Sequence, residues 1–277
     1  MSVTSFTDSM SGPETKTEVF TITEVAEERS ISSRNKRLYE QYVQPCLAEL
    51  FGTTLFVFVG CSSVVGDVGS GLIQPALTHG LALGVLIMVF GQISGGHFNP
   101  VVSLSIYLCG GMKLRLLVPY IVSQMAGGTI GAGLTKSSLG GAFVPFAAEL
   151  GRVTVAEVML TLILTMVVCM GAVNRQTRTA MAPFCIGLTV TANIFAGGVL
   201  SGGCMNPARA FGPAVVANHW QHHWVYWVGP TSGALITTSL IRYYQDSEQE
   251  KLCLFCPKVT NAKLIYIIYP CTTDYLT

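Results

Sequence analysis

Asn99-Pro100 and Asn206-Pro207 stand 107 positions apart, and each pair follows a Ser-Gly-Gly turn, at 94–96 and 201–203. Proline is favoured in the first turn of a helix because its missing N–H has no intrahelical acceptor there. Each pair therefore predicts a helix start with Asn as the cap. The apolar pieces that follow, 99–109 and 206–217, are about half a membrane span long. A helix start carries unpaired backbone N–H groups and roughly half a positive charge. Two such ends converging inside a membrane would repel cations and protons, while the amides of Asn99 and Asn206 donate to a passing oxygen from two sides. A water held this way must donate outward, which interrupts a proton wire and lets water pass. A single Asn-Pro is an ordinary helix cap; two symmetric copies after the same turn point to a pore.

Three charged residues at membrane depth add to this set. Arg209 lies three residues after Asn206 with no acid nearby in sequence. Intramembrane cations are expensive and mark functional sites. Glu49 and Glu157 are the only acids inside the apolar runs and occupy equivalent repeat positions. They read either as a proton relay, the mark of a coupled carrier, or as carboxylates that accept N–H bonds from broken backbone beside a half-helix. The structural role is preferred. Cys204, two residues before Asn206, is expected at the pore mouth, where a bound mercurial would block flow.

These residues need a membrane scaffold, and the composition supplies one. Of 277 residues, 50% are apolar and 11% charged, against about 25% charged in ordinary soluble domains. A net charge of +1 leaves no broad electrostatic case for nucleic acid. A spanning helix needs about 20 apolar residues. The charge-free runs accommodate six spans, near 42–66, 75–94, 113–135, 154–173, 181–200 and 223–243. The pieces 99–109 and 206–217 become re-entrant half-helices. The expected fold is an all-α membrane protein, six transmembrane helices plus two re-entrant half-helices in an inverted 3+3 repeat.

The repeat is visible without gaps: 79–100 aligns with 186–207 at a shift of 107, and Ala48-Glu49 meets Ala156-Glu157 at 108. Three spans per copy is odd, so the copies lie inverted, as in many transport proteins. This predicts a channel domain over 42–245, with repeats at about 42–136 and 153–243. Residues 1–41 form a cytosolic tail, its first 33 residues disordered in expectation and lacking an apolar signal segment. Residues 246–277 form a second cytosolic tail with no assigned role. Arg34, Lys36, Arg37, Lys113, Arg115, Arg175, Arg178 and Arg242 fall on one side of six crossings. The positive-inside rule places both termini in the cytosol.

Asn-Pro-Ala-Arg at 206–209 and its degenerate partner Asn-Pro-Val at 99–101 resemble the paired Asn-Pro-Ala signatures of the aquaporin (major intrinsic protein) family. The resemblance covers about residues 42–243 and includes Gly95-Gly96-His97-Phe98 and Gly203-Cys204-Met205. It implies a pore motif of Asn99, Pro100, Val101, Asn206, Pro207 and Ala208, and a homotetramer with one pore per subunit. It also implies an outer constriction of His79, Ile194, Gly203 and Arg209, wider and less uniformly polar than that of strict water channels. The family gives Glu49 and Glu157 the structural role. The chain departs from the family at Val101, where Ala is usual, and in the tail after about Gln245.

The expected function is a passive channel for water and small neutral solutes, ammonia and hydrogen peroxide among them, that excludes protons and ions. The alternatives are a proton-coupled carrier using Glu49 and Glu157, and a non-conducting tetrameric scaffold in which Val101 has closed the pore. No catalysis, metal or cofactor is expected. Cys253-x-x-Cys256 lacks a second pair for zinc, and Cys46, Cys61, Cys109, Cys169 and Cys185 read as small hydrophobes in or beside spans. His219, His222 and His223, with Trp220, Trp224, Tyr226 and Trp227, read as an interfacial belt. Gly91/Gly95, Gly127/Gly131 and Gly229/Gly233 permit close helix approach, within the bundle or between subunits. The plasma membrane is the default location, with internal and mitochondrial membranes as alternatives.

Overall fold

The computed structural model describes residues 33–66, 69, 71–141 and 149–254, with side chains described to 244. The N-terminal 32 residues, Cys256 and the apolar stretch 264–269 lie outside the described residues. In chain order the helices are α1 (Gln44–Val65), α2 (Ile73–Ser94), α3 (Pro100–Leu108), α4 (Leu114–Leu139), α5 (Leu150–Val168), α6 (Ala182–Ser201), α7 (Pro207–Ala217) and α8 (Val225–Leu254). A π-helical turn at Tyr39–Val43 leads into α1, and another at Cys169–Val173 ends α5. α8 continues past the expected span end near 243, into the segment assigned to the tail.

α1 with its lead-in, α2, α5 and α6 are apolar enough to cross a membrane by length and composition alone. α4 and α8 reach 26 and 30 residues but carry more polar side chains. Two of the polar contacts made by these helices join them to their neighbours. Thr135 of α4 donates to the Phe58 carbonyl of α1 at 3.2 Å, and Thr165 of α5 donates to Thr237 of α8 at 2.9 Å. Outward faces carry exposed Phe51, Leu81, Met88, Val118, Val155 and Val199, while Glu49, Gln124, Glu157 and Arg209 are buried. Apolar outside and polar inside is the inverse of a soluble domain's pattern.

α1–α4 and α5–α8 are the two inverted copies. α1 packs on α4, α5 on α8, and α2 on α6 across the pseudo-twofold axis. Each half-helix packs on the last span of the other copy, α7 on α4 and α3 on α8. These crossings are close because glycine lines them. A Cβ on Gly127 or Gly131 would strike α1 backbone at Leu50 or Thr54, and one on Gly233 would strike the Val158 carbonyl of α5. The Gly127/Gly131 and Gly229/Gly233 patterns therefore serve the bundle. Gly91/Gly95 does not: Gly95 ends α2 with φ 89°, as Gly202 ends α6 with φ 79°.

Candidate functional site

The two loops between full span and half-helix are built alike. Ser94 and Ser201 each turn a hydroxyl back to accept the N–H of Gly96 and Gly203, both at 3.1 Å. Phe98 and Met205 follow in the left-handed region, at φ 49° and 54°. Such backbone costs on the order of 1–3 kcal/mol and persists only where its surroundings hold it. The holding groups are the two buried carboxylates. Glu49 accepts from Ser94 Oγ (2.7 Å), His97 N (2.9 Å), Phe98 N (2.7 Å) and Gln124 Nε2 (2.8 Å). Glu157 accepts from Ser201 Oγ (2.6 Å), Cys204 N (2.8 Å) and Met205 N (2.7 Å). Each acid is fully buried, and both oxygens of each accept from these donors.

The half-helices meet through their caps. Asn99 Oδ1 accepts the Val101 N–H at 3.0 Å, and Asn206 Oδ1 accepts those of Ala208 and Arg209 at 3.0 and 3.3 Å. Each amide also crosses to the other loop: Asn99 Nδ2 donates to the Met205 carbonyl and Asn206 Nδ2 to the Phe98 carbonyl, both at 2.9 Å. A carboxamide has two N–H groups, so one remains on each Asn. Both residues line a cavity of about 760 Å³. With their carbonyl oxygens committed to the caps, the two asparagines offer this cavity donors only.

The cavity runs from His79 and Arg209 past Asn99 and Asn206 to Arg178 and Thr179, in the connection between α5 and α6. Arg209 is buried without a carboxylate partner; its Nε donates to His79 Nε2 at 3.0 Å, and its Nη1 and Nη2 to the carbonyls of Gly203 (2.8 Å) and Gly202 (3.4 Å). His79 Nδ1 lies 2.7 Å from the Pro75 carbonyl. That carbonyl requires a donor, so His79 carries its proton on Nδ1 and accepts from Arg209 as a neutral ring. Three of the five guanidinium N–H groups are thereby used, leaving two. Phe56 packs edge-on against His79, ring centroids 5.8 Å apart.

The structure thus brings together His79 and Arg209, and Asn99 with Asn206. Ile194 and Gly203 stand against each other, a Cβ on Gly203 falling 3.1 Å from Ile194 Cα, but neither is part of the cavity wall. Val101 is buried at 3% exposure and is also absent from the wall, where its neighbour Val102 appears. Pro100, Pro207 and Ala208 are buried in the first turns of the half-helices. Cys204 borders the cavity, but its thiol turns back to the Asn206 carbonyl at 3.2 Å and packs with Ala210 and Tyr226. The sequence placed that thiol more openly in the pore.

Tyr226 is likewise not an interfacial residue. It is 2% exposed and donates to the Ser201 carbonyl at 3.1 Å, as Tyr120 does to Ser94 at 2.8 Å. Trp220 and Trp224 remain half-exposed. His223, between α7 and α8, sits among Phe211, Trp220, Tyr226 and Trp227, and burial holds its imidazole below the usual histidine range. Sequence reading missed one polar group: Gln124 donates to Glu49 and to Ser103 (2.9 Å), which in turn contacts His97 Nδ1 at 3.0 Å. A glutamine buried in a span was its one available signal. No cluster of three or more metal-ligating side chains occurs among the described residues.

Comparison with known proteins agrees with this geometry. Residues 37–241 match the family described as Major intrinsic protein. The chain is 51% identical over 228 residues to Aquaporin-8 of Notomys alexis, covering 78% of this chain and 87% of that protein. It is 47% identical over 258 residues to Aquaporin-8 of Mus musculus, covering 88% and 99%. Among solved structures, the aquaglyceroporin from Plasmodium falciparum superposes with a TM-score of 0.66 at 20% identity, over 77% of this chain and 99% of that one; at that identity the likeness shows the fold.

Proposed function

The chain belongs to the major intrinsic protein family, whose members are membrane channels and not enzymes, and we propose that it conducts water, ammonia and hydrogen peroxide passively while excluding protons and ions. The observation that carries this is the donor-only midpoint. A water at Asn99 and Asn206 accepts from both amides and has no acceptor there for its own hydrogens, so it donates up and down the file and cannot relay a proton. Two half-helix starts add positive potential against cations at the same place.

Selectivity for size and polarity lies at His79 and Arg209 in this reading, with Ile194 and Gly203 completing the ring from behind. The two free N–H groups of Arg209 replace part of a solute's hydration, and the fixed charge repels cations. Gly203 and Ile194, packed on each other behind the cavity wall, add no polar side chain to it. That suits ammonia and peroxide, which are near water in size; glycerol is a poor fit. The scaffold alternative loses its motive because Val101 is outside the cavity wall. The channel domain spans 42–245. The assembly is a homotetramer in the lipid bilayer, and both termini are cytosolic, with the plasma membrane as the proposed location.

Stopped-flow measurements on proteoliposomes test the reading. Water and ammonia flux should exceed lipid rates with low activation energy and no need for a pH gradient. Flux that requires a proton gradient would establish a carrier, and lipid-only rates a scaffold.

A further inference from the structure

We propose that His97 is a specificity-determining residue: its Nε2–H is a further donor on the cavity wall, locked in that tautomer by Glu49, Gln124 and Ser103, and it favours water and hydrogen peroxide over ammonia. The hydrogen bonds fix each proton in turn. Glu49 Oε2 lies 2.8 Å from Gln124 Nε2. An ionised carboxylate only accepts, so the amide nitrogen and not the amide oxygen stands there. The same nitrogen gives its second N–H to Ser103 Oγ at 2.9 Å. Ser103 Oγ therefore accepts from Gln124, and its own hydrogen goes to His97 Nδ1 at 3.0 Å. Nδ1 is then the bare nitrogen and Nε2 carries the proton. His79 holds the opposite tautomer, with its proton on Nδ1 toward the Pro75 carbonyl.

His97 lines the cavity, and with Nδ1 taken by Ser103 it turns Nε2 to that space. The Cβ that Gly95 lacks would fall 2.8 Å from Nε2, so glycine there keeps the approach open. Tyr120 packs edge-on against the ring, centroids 5.2 Å apart, and holds its plane. The second copy has no such relay. At the shift of 107, His97 and Ser103 become Cys204 and Ala210, and at the shift of 106 that pairs Tyr120 with Tyr226, Gln124 becomes Pro230. The Glu157 loop keeps the same turn without it, so the fold does not require the relay. Donors on a pore wall set what passes by replacing hydration. Ammonia has a single lone pair and accepts from one donor at a time. Peroxide carries lone pairs on two adjacent oxygens, and water carries two on one. A further N–H beyond those of Asn99 and Asn206 therefore compensates water and peroxide for lost hydration and does least for ammonia.

The solute preference rests on the channel reading; the tautomer does not. Full-length protein carrying isotope-labelled histidine is reconstituted in proteoliposomes. Solid-state NMR reads which ring nitrogen holds the proton, the signal missing from His97→Leu identifying the residue, and stopped-flow assays measure water, ammonia and hydrogen peroxide flux. The parent should be protonated on Nε2, and Ser103→Ala should show mixed tautomers. His97→Leu should lower peroxide permeability relative to ammonia about threefold or more, the effect of one lost hydrogen bond. His97→Gln, whose amide N–H can stand at the Nε2 position, should recover most of that ratio. Ser103→Ala, which keeps the ring and loses the lock, should move the ratio in the same direction as His97→Leu. A parent protonated on Nδ1 overturns the lock. Three fluxes that fall together with their ratios unchanged, or a Gln variant no better than Leu, overturn the donor role. If the parent conducts only at lipid rates, the channel reading fails and the NMR still decides the tautomer.

Discussion

Glu157→Gln exchanges one carboxylate oxygen for an NH2 group and removes a charge, with almost no change in shape. With its oxygen turned toward Ser201 and Cys204, the new amide sets its NH2 against the Met205 N–H; turned the other way, it opposes two donors. The better orientation leaves one buried N–H without an acceptor, at about 1–3 kcal/mol. It also makes two charge-assisted bonds neutral, at about 1 kcal/mol each. The loss is about 3–5 kcal/mol, against a typical margin of about 5–15 kcal/mol. It falls on Met205, whose backbone is held at φ 54° and whose carbonyl receives Asn99. Detergent-purified Glu157→Gln should therefore unfold at a clearly lower temperature than the parent, with lower water flux, and the remaining flux should ignore an imposed pH gradient. Glu49→Gln should also destabilise, since the new NH2 opposes the Phe98 N–H and Gln124 Nε2 that share one oxygen, and turning Gln124 to receive it gives up the Nε2 bond to Ser103. A Glu157→Gln protein as stable as the parent, whose transport has lost a dependence on proton gradient, would refute the structural role and restore the carrier.

Three further outcomes follow from the site. His79→Ala combined with Arg209→Val removes both large polar groups at the cavity's end, so urea or glycerol flux should rise several-fold in stopped-flow assays while water flux survives; unchanged solute rates would move the constriction elsewhere. Val101→Ala should change water permeability less than threefold and leave proton exclusion intact, because Val101 is outside the cavity wall; a large gain would mean a nearly shut native pore. Cys204→Ser should keep water flux, since a hydroxyl can donate to the Asn206 carbonyl from the same place, and should abolish a mercurial block that develops slowly in the parent. A block that persists in this variant assigns the sensitive thiol to another cysteine.

Much of this was readable from spacing because membrane and repeat both constrain it. Asn-Pro after Ser-Gly-Gly located both half-helix starts to the residue, and the charge-free runs located the long helices to within a few residues except at the end of α8, which runs to Leu254 instead of about 243. Direction was not readable. Cys204 is adjacent to the pore in sequence, but its thiol points toward Ala210 and Tyr226, because the Cys204 N–H is drawn to Glu157 and its Sγ to the Asn206 carbonyl. Tyr226 looked interfacial among tryptophans, yet the buried Ser201 carbonyl at the end of α6 needed a donor.

The repeat also shows how the two ends of the cavity come to differ. At the shift of 107, His79 corresponds to Ile186, Ile194 to Ile87, Gly203 to Gly96 and Arg209 to Val102. All four counterparts line the cavity, so the backbone that places a polar ring on one side places an apolar one on the other. The scaffold is shared down to the Ser hydroxyl bonds and the Asn cross-links; what differs is the chemistry hung on it. In the proposed reading a solute entering past Arg209 exchanges hydration for guanidinium and imidazole contacts, meets two donors at the asparagines, and then passes a stretch with aliphatic Ile87, Val102 and Ile186 in its wall before the mouth at Arg178 and Thr179. Conduction needs binding strong enough to enter and weak enough to leave. One Arg-His pair at one end is compatible with both, whereas a second such pair at Val102 and Ile186 would add a second binding step and a second buried cation without a carboxylate partner. Symmetry builds the pore, and it breaks at two of these four positions, His79 against Ile186 and Arg209 against Val102, where the proposed selectivity lies.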